Sequence, residues 1–275
     1  PWGGVIAVAG DDHISKSSTA AHQSDHIFKA CGTPVFFPAS VQEILDLGIH
    51  AFAMSRFSGI WSGMKTIQEI VESSATAMID PEHVQIQIPT DFQMPPGGLH
   101  IRWPDHALDQ EARLFHYKWY AALAYIRANS PHPISSCETL IGLQQFLPYF
   151  ENQSVDVAIV DTPWNGVWQS LKIAAAAAAY EVNVAPHNFY GHLCTMMNAH
   201  FSAVVPNLRI MEIDIDRIAW DAEVFSHEPE IKDGYLILPD RPGWGIEPVE
   251  AALAKYPPLK ATGLINRTQT PRLAI

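Results

Sequence analysis

The 275-residue sequence lacks the features that mark several large classes of protein. Its three cysteines, Cys31, Cys137 and Cys194, are too scattered for a CxxC metal pair or a disulfide framework, which favours a reducing cytoplasm. Basic residues are scarce, since 17 Lys and Arg oppose 29 Asp and Glu. The resulting net charge of −12 argues against nucleic acid or an anionic membrane as a partner.

Long apolar runs are also missing, and the most apolar helical stretch is too short to cross a bilayer. No signal peptide precedes the first apolar run. Because the chain begins at Pro1 rather than Met and enters a strand almost at once, we expect a fragment of a longer protein. The remaining composition, 48% hydrophobic, is that of a globular protein with one large α/β domain or two smaller ones.

A strand–helix–strand unit between Val155 and Leu193 organises the second half of the chain. Its first apolar run ends on Asp161, and an Ala-rich helical run follows. A second short run, Val182 to Pro186, ends on His187. In parallel α/β folds the chemistry gathers at the carboxyl ends of strands. A carboxylate beside an imidazole fixes the tautomer and raises the basicity of a proton-abstracting histidine.

Four ionisable residues follow short predicted strands at a regular interval. Glu138, Asp161, His187 and Glu212 are separated by 23, 26 and 25 residues. A (β/α)₈ barrel of about 250 residues has roughly 30 residues in each unit, so these steps fit successive units with their side chains at one mouth. The alternative is that acids after strands act as helix N-caps, which is common for single positions.

Other segments carry weaker patterns. Ser40 and Glu43 form a capping box for a helix through Leu47. Asp11-Asp12, an acidic pair after a strand, is interpreted as a capping turn rather than as metal ligands. Prolines around His132 indicate a boundary at Asn129-Ser130. Further predicted elements are a strand at Val5–Ala9, a helix at Trp61–Ser73, a strand at Val84–Ile88, a helix at Leu108–Ala128, a strand at Leu208–Ile213 and a hairpin in the tail.

Residues 130–257 resemble the last four βα units of the enolase superfamily, mandelate racemase branch, and within it the acid-sugar dehydratases. The stretches that carry the resemblance are SPHPISSCETLIG, VDVAIVDTPWNGVWQSLKIA, YEVNVAPHNFYGHL, NLRIMEIDIDR and DRPGWG. By motif position, Glu138 matches an Mg²⁺ ligand and His187 the base that removes the proton α to a carboxylate. Asp161 matches the partner that orients this histidine, and Glu212 the acid that hydrogen-bonds the substrate carboxylate or enediolate.

The resemblance implies Mg²⁺-dependent dehydration of a small-molecule carboxylate such as an acid sugar. It also implies two further acidic metal ligands and a capping domain, neither of which is recognisable in this sequence. One carboxylate is a poor Mg²⁺ site, because Mg²⁺ requires several oxygens in a near-octahedral array. A half barrel exposes strand edges, so we expect homo-oligomers or aggregation through that edge.

Residues 3–129 resemble a different family, indolepyruvate ferredoxin oxidoreductase, through GGVIAVAGDDHISKSSTAAHQSDH, PVFFPASVQEILDLGIHAFAMSR and FQMPPGGLHIRWPD. That resemblance implies oxidation of an arylpyruvate with thiamine diphosphate, although the GDG…N diphosphate motif and the activating glutamate are missing.

The fold expected is α/β throughout: an incomplete thiamine-enzyme-like three-layer segment, residues 1–129, followed by the C-terminal half of a (β/α)-barrel, residues 130–275. The function favoured is that of the second segment, with His187, Asp161 and Glu212 as catalytic residues and Glu138 as a metal ligand. The alternatives are a fragment of a thiamine enzyme and an inactive chimeric or partner-binding remnant.

Overall fold

The computed structural model describes residues 2–16, 18–101, 103–215, 218 and 220–257. They divide into two units, the first within Pro1–Ala185 and Val205–Ile210, and the second within Pro186–Val204 and Met211–Ile275. Across the described residues, none of the helices combines the length and hydrophobicity needed to span a membrane.

The first unit begins with a three-stranded parallel sheet of order β1-β3-β2. The strands are β1 (Ile6–Asp11), β2 (Val35–Phe36) and β3 (Ser62–Ile67). The central strand, β3, is buried along almost its whole length, because it has a neighbour on both sides. Helices follow or connect these strands: α1 (Asp25–Ala30), α2 (Val41–Ser58) and the short α3 (Gln68–Val71).

A helical pair forms the core of this part of the first unit. After α4 (Ala107–Arg113) and a π-helical turn, α5 (Trp119–Asn129) packs on α2 through a cluster that includes Met54 and Tyr125. Ser40 is confirmed as the N-cap of α2, because its Oγ accepts a hydrogen bond from the Glu43 amide. The Glu43 carboxylate accepts from the Ala39 amide and not from that of Ser40, and the helix continues past Leu47 to Ser58. Gly59 ends α2 with φ +68°, and a Cβ there would lie 2.6 Å from the Leu99 carbonyl oxygen, so the position requires glycine.

A second sheet in the first unit has the order β4-β5-β6. It comprises β4 (Ser135–Ser136), β5 (Val157–Val160) and β6 (Asn183–Pro186), with β4 and β5 parallel. Helices α6 (Leu143–Glu151), α7 (Thr162–Asn165) and α8 (Val167–Ala179) alternate with them along the chain. Val184 of β6 also forms an isolated parallel bridge to Leu208, so one further residue pairs alongside β6. This alternation confirms the βα units predicted for the second half of the sequence.

The second unit contains α9 (His192–Val204), α10 (Asp221–Val224), a hairpin of β7 (Glu230–Lys232) and β8 (Tyr235–Ile237), and α11 (Glu250–Lys255). Its core is built on Met196, Ala199 and Ile246, against which Trp244 and Phe225 pack. The hairpin predicted in the tail is therefore present.

Three sequence-based predictions of secondary structure are wrong. The segment predicted as one helix, Trp61–Ser73, is mainly strand β3 followed by the short α3. Val84–Ile88 alternates like a strand but forms no regular element, since no neighbouring strand pairs with it among the described residues. Leu208–Ile213 contributes an isolated bridge at Leu208 instead of a strand.

Candidate active site

Glu138 lies in an exposed turn directly after β4. The turn is closed by the Leu140 amide, which donates to the Cys137 carbonyl oxygen at 3.1 Å. Cys137 itself has φ +86°, and its side chain is buried. Burial raises the pKa of the Cys137 thiol to about 12, which disfavours the reactive thiolate at neutral pH.

Asp161 lies at the end of β5 and is almost completely buried, with 1% of its surface exposed. Its Oδ1 accepts a hydrogen bond of 2.9 Å from the Trp164 amide and so caps the short α7. The capping role that the sequence left open is thus present at this position. A cap does not exclude a second role, because a carboxylate has about four acceptor sites.

Asn165 connects the loops that carry Glu138 and Asp161. Its Oδ1 accepts from the Gly142 amide at 2.8 Å, and its Nδ2 donates to the Leu140 and Asp161 carbonyl oxygens at 3.3 and 3.0 Å. One amide side chain therefore joins the segment after β4 to the turn after β5. The sequence gave no sign of this, because an Asn before Gly reads simply as a turn residue.

In the second unit, His187 and Glu212 are brought together. His187 Nε2 lies 3.8 Å from Glu212 Oε2, with 17% of the imidazole side chain and 49% of the carboxylate side chain exposed. The His187 ring meets Tyr190 edge to face at 5.6 Å, and the His187 carbonyl oxygen accepts from Asn198 Nδ2 at 2.9 Å. Tyr190 therefore packs on the imidazole, Asn198 holds the His187 backbone, and the imidazole faces an acid.

Asn188, which sequence analysis missed, positions this pair. Its backbone amide donates to Glu212 Oε2 at 2.9 Å, and its Nδ2 donates to the Glu212 carbonyl oxygen at 3.1 Å. The buried amide also exchanges hydrogen bonds with Thr195 Oγ1 at 3.1 and 3.3 Å. Because Asn188 follows His187 directly, these bonds fix the Glu212 segment against the residue next to the imidazole.

Of the four predicted residues, the structure brings only His187 and Glu212 into a described pair. Glu138 and Asp161 lie on loops joined by Asn165 in the first unit, and His187 and Glu212 lie 3.8 Å apart in the second. Among the described residues, Glu138 belongs to no cluster of three or more His, Cys, Asp or Glu side chains that could bind one metal ion. A single carboxylate does not fit Mg²⁺, so Mg²⁺ binding by Glu138 stays a prediction that requires further oxygen ligands.

The chain is similar to proteins of one superfamily. A sequence model of the family described as Enolase C-terminal domain-like matches residues 114–252, just over half of the chain. The D-gluconate dehydratase of Thermoproteus tenax is 26% identical over 248 residues, which cover 83% of this chain and 48% of that protein.

Among solved structures, an L-alanine-DL-glutamate epimerase from Burkholderia xenovorans, bound to magnesium and fumarate, is 65% identical over 54% of this chain and 37% of that one, with a TM-score of 0.50. A second structure from that organism, described with the same activity, is 38% identical over 94% of this chain and 60% of that one, with a TM-score of 0.53.

This chain spans about half, or less, of the length of the curated relatives it matches. The match over 94% of the chain extends into the first 129 residues. The resemblance of that segment to a thiamine enzyme, thiamine diphosphate binding and the boundary at Asn129-Ser130 stay predictions. By the match over residues 114–252, the chain belongs to the enolase C-terminal domain-like family.

Proposed function

We propose that residues 130–257 form the catalytic half of a barrel that removes the proton α to the carboxylate of a small acid, with dehydration of an acid sugar as the overall reaction. The observation that carries the proposal is the His187–Glu212 pair, 3.8 Å apart, with His187 directly after β6 and Glu212 after the isolated bridge at Leu208. The named activity of the Thermoproteus tenax relative, a D-gluconate dehydratase, supports the substrate class. Fumarate in the Burkholderia xenovorans structure is a carboxylate ligand, which agrees with it.

His187 is the base in this scheme. Neutral imidazole accepts the α-proton, and the electron pair left on carbon moves toward the substrate carboxylate as an enediolate forms. Collapse of the enediolate expels the β-hydroxyl, which takes up a proton and leaves as water. The resulting enol gains a proton at C3 and loses one from its C2 hydroxyl, which gives the 2-keto-3-deoxy acid.

Glu212 has the role of the acid that hydrogen-bonds the substrate carboxylate or enediolate. Its Oε2 accepts from the Asn188 amide and lies 3.8 Å from His187 Nε2, which holds the carboxyl group beside the proposed base. Asp161 is buried, and its Oδ1 caps α7. In the proposal, Asp161 has the role of the partner that orients His187, and Glu138 has the role of one metal ligand.

The test is formation of 2-keto-3-deoxy acid from D-gluconate, D-galactonate and D-xylonate in the presence of Mg²⁺. Wild-type chain is expected to form the product, and His187→Asn to form none. His227→Asn is the matched control, because His227 is an exposed histidine of the same unit that contacts Ser226. Product formation by His187→Asn at the rate of the control would refute the assignment of the base.

A further inference from the structure

A group of ligand-type side chains lies at the carboxyl end of the first sheet, outside the proposed active site. Strand β1 ends at Asp11, whose side chain is only 2% exposed. Asp11 Oδ2 accepts from the Ser24 amide at 2.8 Å and from Ser24 Oγ at 3.1 Å. The carboxylate is therefore held in place at the edge of a parallel sheet where ligands commonly bind.

His13 and Asp25 complete the group. His13 Nε2 lies 3.6 Å from Asp11 Oδ2, and one ligand atom from each of the three residues lies within 4.8 Å of the others. Asp11 is buried, whereas the side chains of His13 and Asp25 are 35% and 45% exposed. One anchored ligand on the inside and two reachable ligands outside give an ion a path of entry.

The charges favour a cation here. Ligand atoms of Asp11 and Asp25 lie within 4.8 Å of each other, and Asp11 is buried. Lys65 supplies one positive charge, since its Nζ donates to Asp25 Oδ2 at 2.8 Å from beside the Phe37 ring. The two carboxylates and one ammonium group carry one negative charge in excess, which attracts a cation.

The ligand types select the kind of ion. One imidazole and two carboxylates suit zinc-class transition metals, which take three protein ligands and a water in tetrahedral sites, whereas Mg²⁺ prefers oxygen ligands alone. Tetrahedral bonds of about 2.0–2.1 Å place neighbouring ligand atoms roughly 3.3 Å apart. The 3.6 Å between His13 Nε2 and Asp11 Oδ2 is close to that spacing, so a small movement of the exposed side chains would close the site.

We propose that Asp11, His13 and Asp25 bind one divalent transition-metal ion of the zinc class, with water as the fourth ligand. Ser24 holds Asp11 in the binding orientation, as outer hydrogen bonds do in metal sites. Lys65 competes with the ion for Asp25. The site lies in the first unit and does not depend on the function proposed for residues 130–257.

The test is titration of the chelator-treated full chain with Co²⁺, whose visible spectrum reports tetrahedral coordination, and with Zn²⁺ by calorimetry. Wild type is expected to bind one equivalent, and His13→Gln or Asp11→Asn to weaken binding at least about tenfold. Lys65→Met, which keeps the packing on Phe37, is expected to tighten binding about fivefold, because it removes the competing charge.

Two controls separate this site from other metal binding. His83→Gln removes an exposed histidine of the same unit that contacts Asp46 at 3.3 Å, and Asp46→Asn removes the charge of that partner. Both variants are expected to bind Zn²⁺ as wild type does. Binding that survives in His13→Gln and Asp25→Asn, or no binding by a wild type whose circular dichroism shows it to be folded, would overturn the proposal.

Discussion

Asn188 is predicted to be the residue whose truncation loosens the His187–Glu212 pair most. Asn188→Ala removes the bond to the Glu212 carbonyl oxygen and both bonds with Thr195, and it leaves the buried Thr195 hydroxyl without this partner. At about 1 kcal/mol for each hydrogen bond, the expected loss is roughly 3 kcal/mol. Asn188→Asp should cost more, because a buried carboxylate beside Glu212 can donate to neither acceptor.

Hydrogen exchange by mass spectrometry measures this locally, through the free energy of opening of peptides that contain residues 188–212. This readout is preferable to a global midpoint, because a chain with two units need not unfold in one step. Asn152→Ala is the matched control, since its half-buried side chain makes one described hydrogen bond, to the Pro148 carbonyl oxygen. An Asn188→Ala loss no larger than that of Asn152→Ala would refute the positioning role.

Two further predictions concern the first unit. Gly59→Ala should destabilise it by about 2 kcal/mol or more in urea unfolding, because alanine would be strained at φ +68° and its Cβ would meet the Leu99 carbonyl oxygen. Burial lowers the pKa of His50 below its usual value of 6.5, so its share of stability is fully present above about pH 6.5 and is lost as the pH falls below that value. His50→Gln should therefore reduce the loss of stability measured between pH 7.5 and 5.

Each of these has a matched control. Gly98 also has positive φ, +74°, but a Cβ there would meet nothing within 4 Å, so Gly98→Ala should cost only about 1 kcal/mol. Equal losses for the two glycine variants would show that contact with Leu99 is unimportant. For the pH dependence the control is His83→Gln, and a slope unchanged in His50→Gln would contradict the effect of burial.

The sequence predicted best where a pattern was local. The strands that precede Asp161 and His187 and the N-cap at Ser40 depend on neighbouring residues, and they were predicted correctly. Strand β3 was missed because a short strand with a buried lysine, Lys65, has the polarity pattern of an amphipathic helix. The strand predicted at Val84–Ile88 was wrong for the opposite reason. Alternating polarity suggests a strand, but a strand also requires a neighbour with which it can pair.

The residues of the candidate site show the same difference between local patterns, which could be predicted, and distant contacts, which could not. The position of Glu138 just after a strand was predicted, whereas Glu212 follows an isolated bridge instead of the predicted strand. The residues that hold the loops were not predicted. Asn165 and Asn188 act through contacts 23 to 25 residues away in sequence, which no local pattern encodes. Asp11 was interpreted as part of a capping turn, and its neighbour His13 was not singled out.

The most direct test of the proposed chemistry is exchange of the α-proton of D-gluconate in D₂O, followed by proton NMR. Exchange requires only proton abstraction and return, so it would detect the base whether the overall reaction is dehydration or epimerisation. Wild type and His227→Asn are expected to exchange the α-proton, and His187→Asn is expected to exchange it no faster than buffer alone. Exchange by His187→Asn at the wild-type rate, or none by the folded wild type, would contradict proton abstraction by this residue.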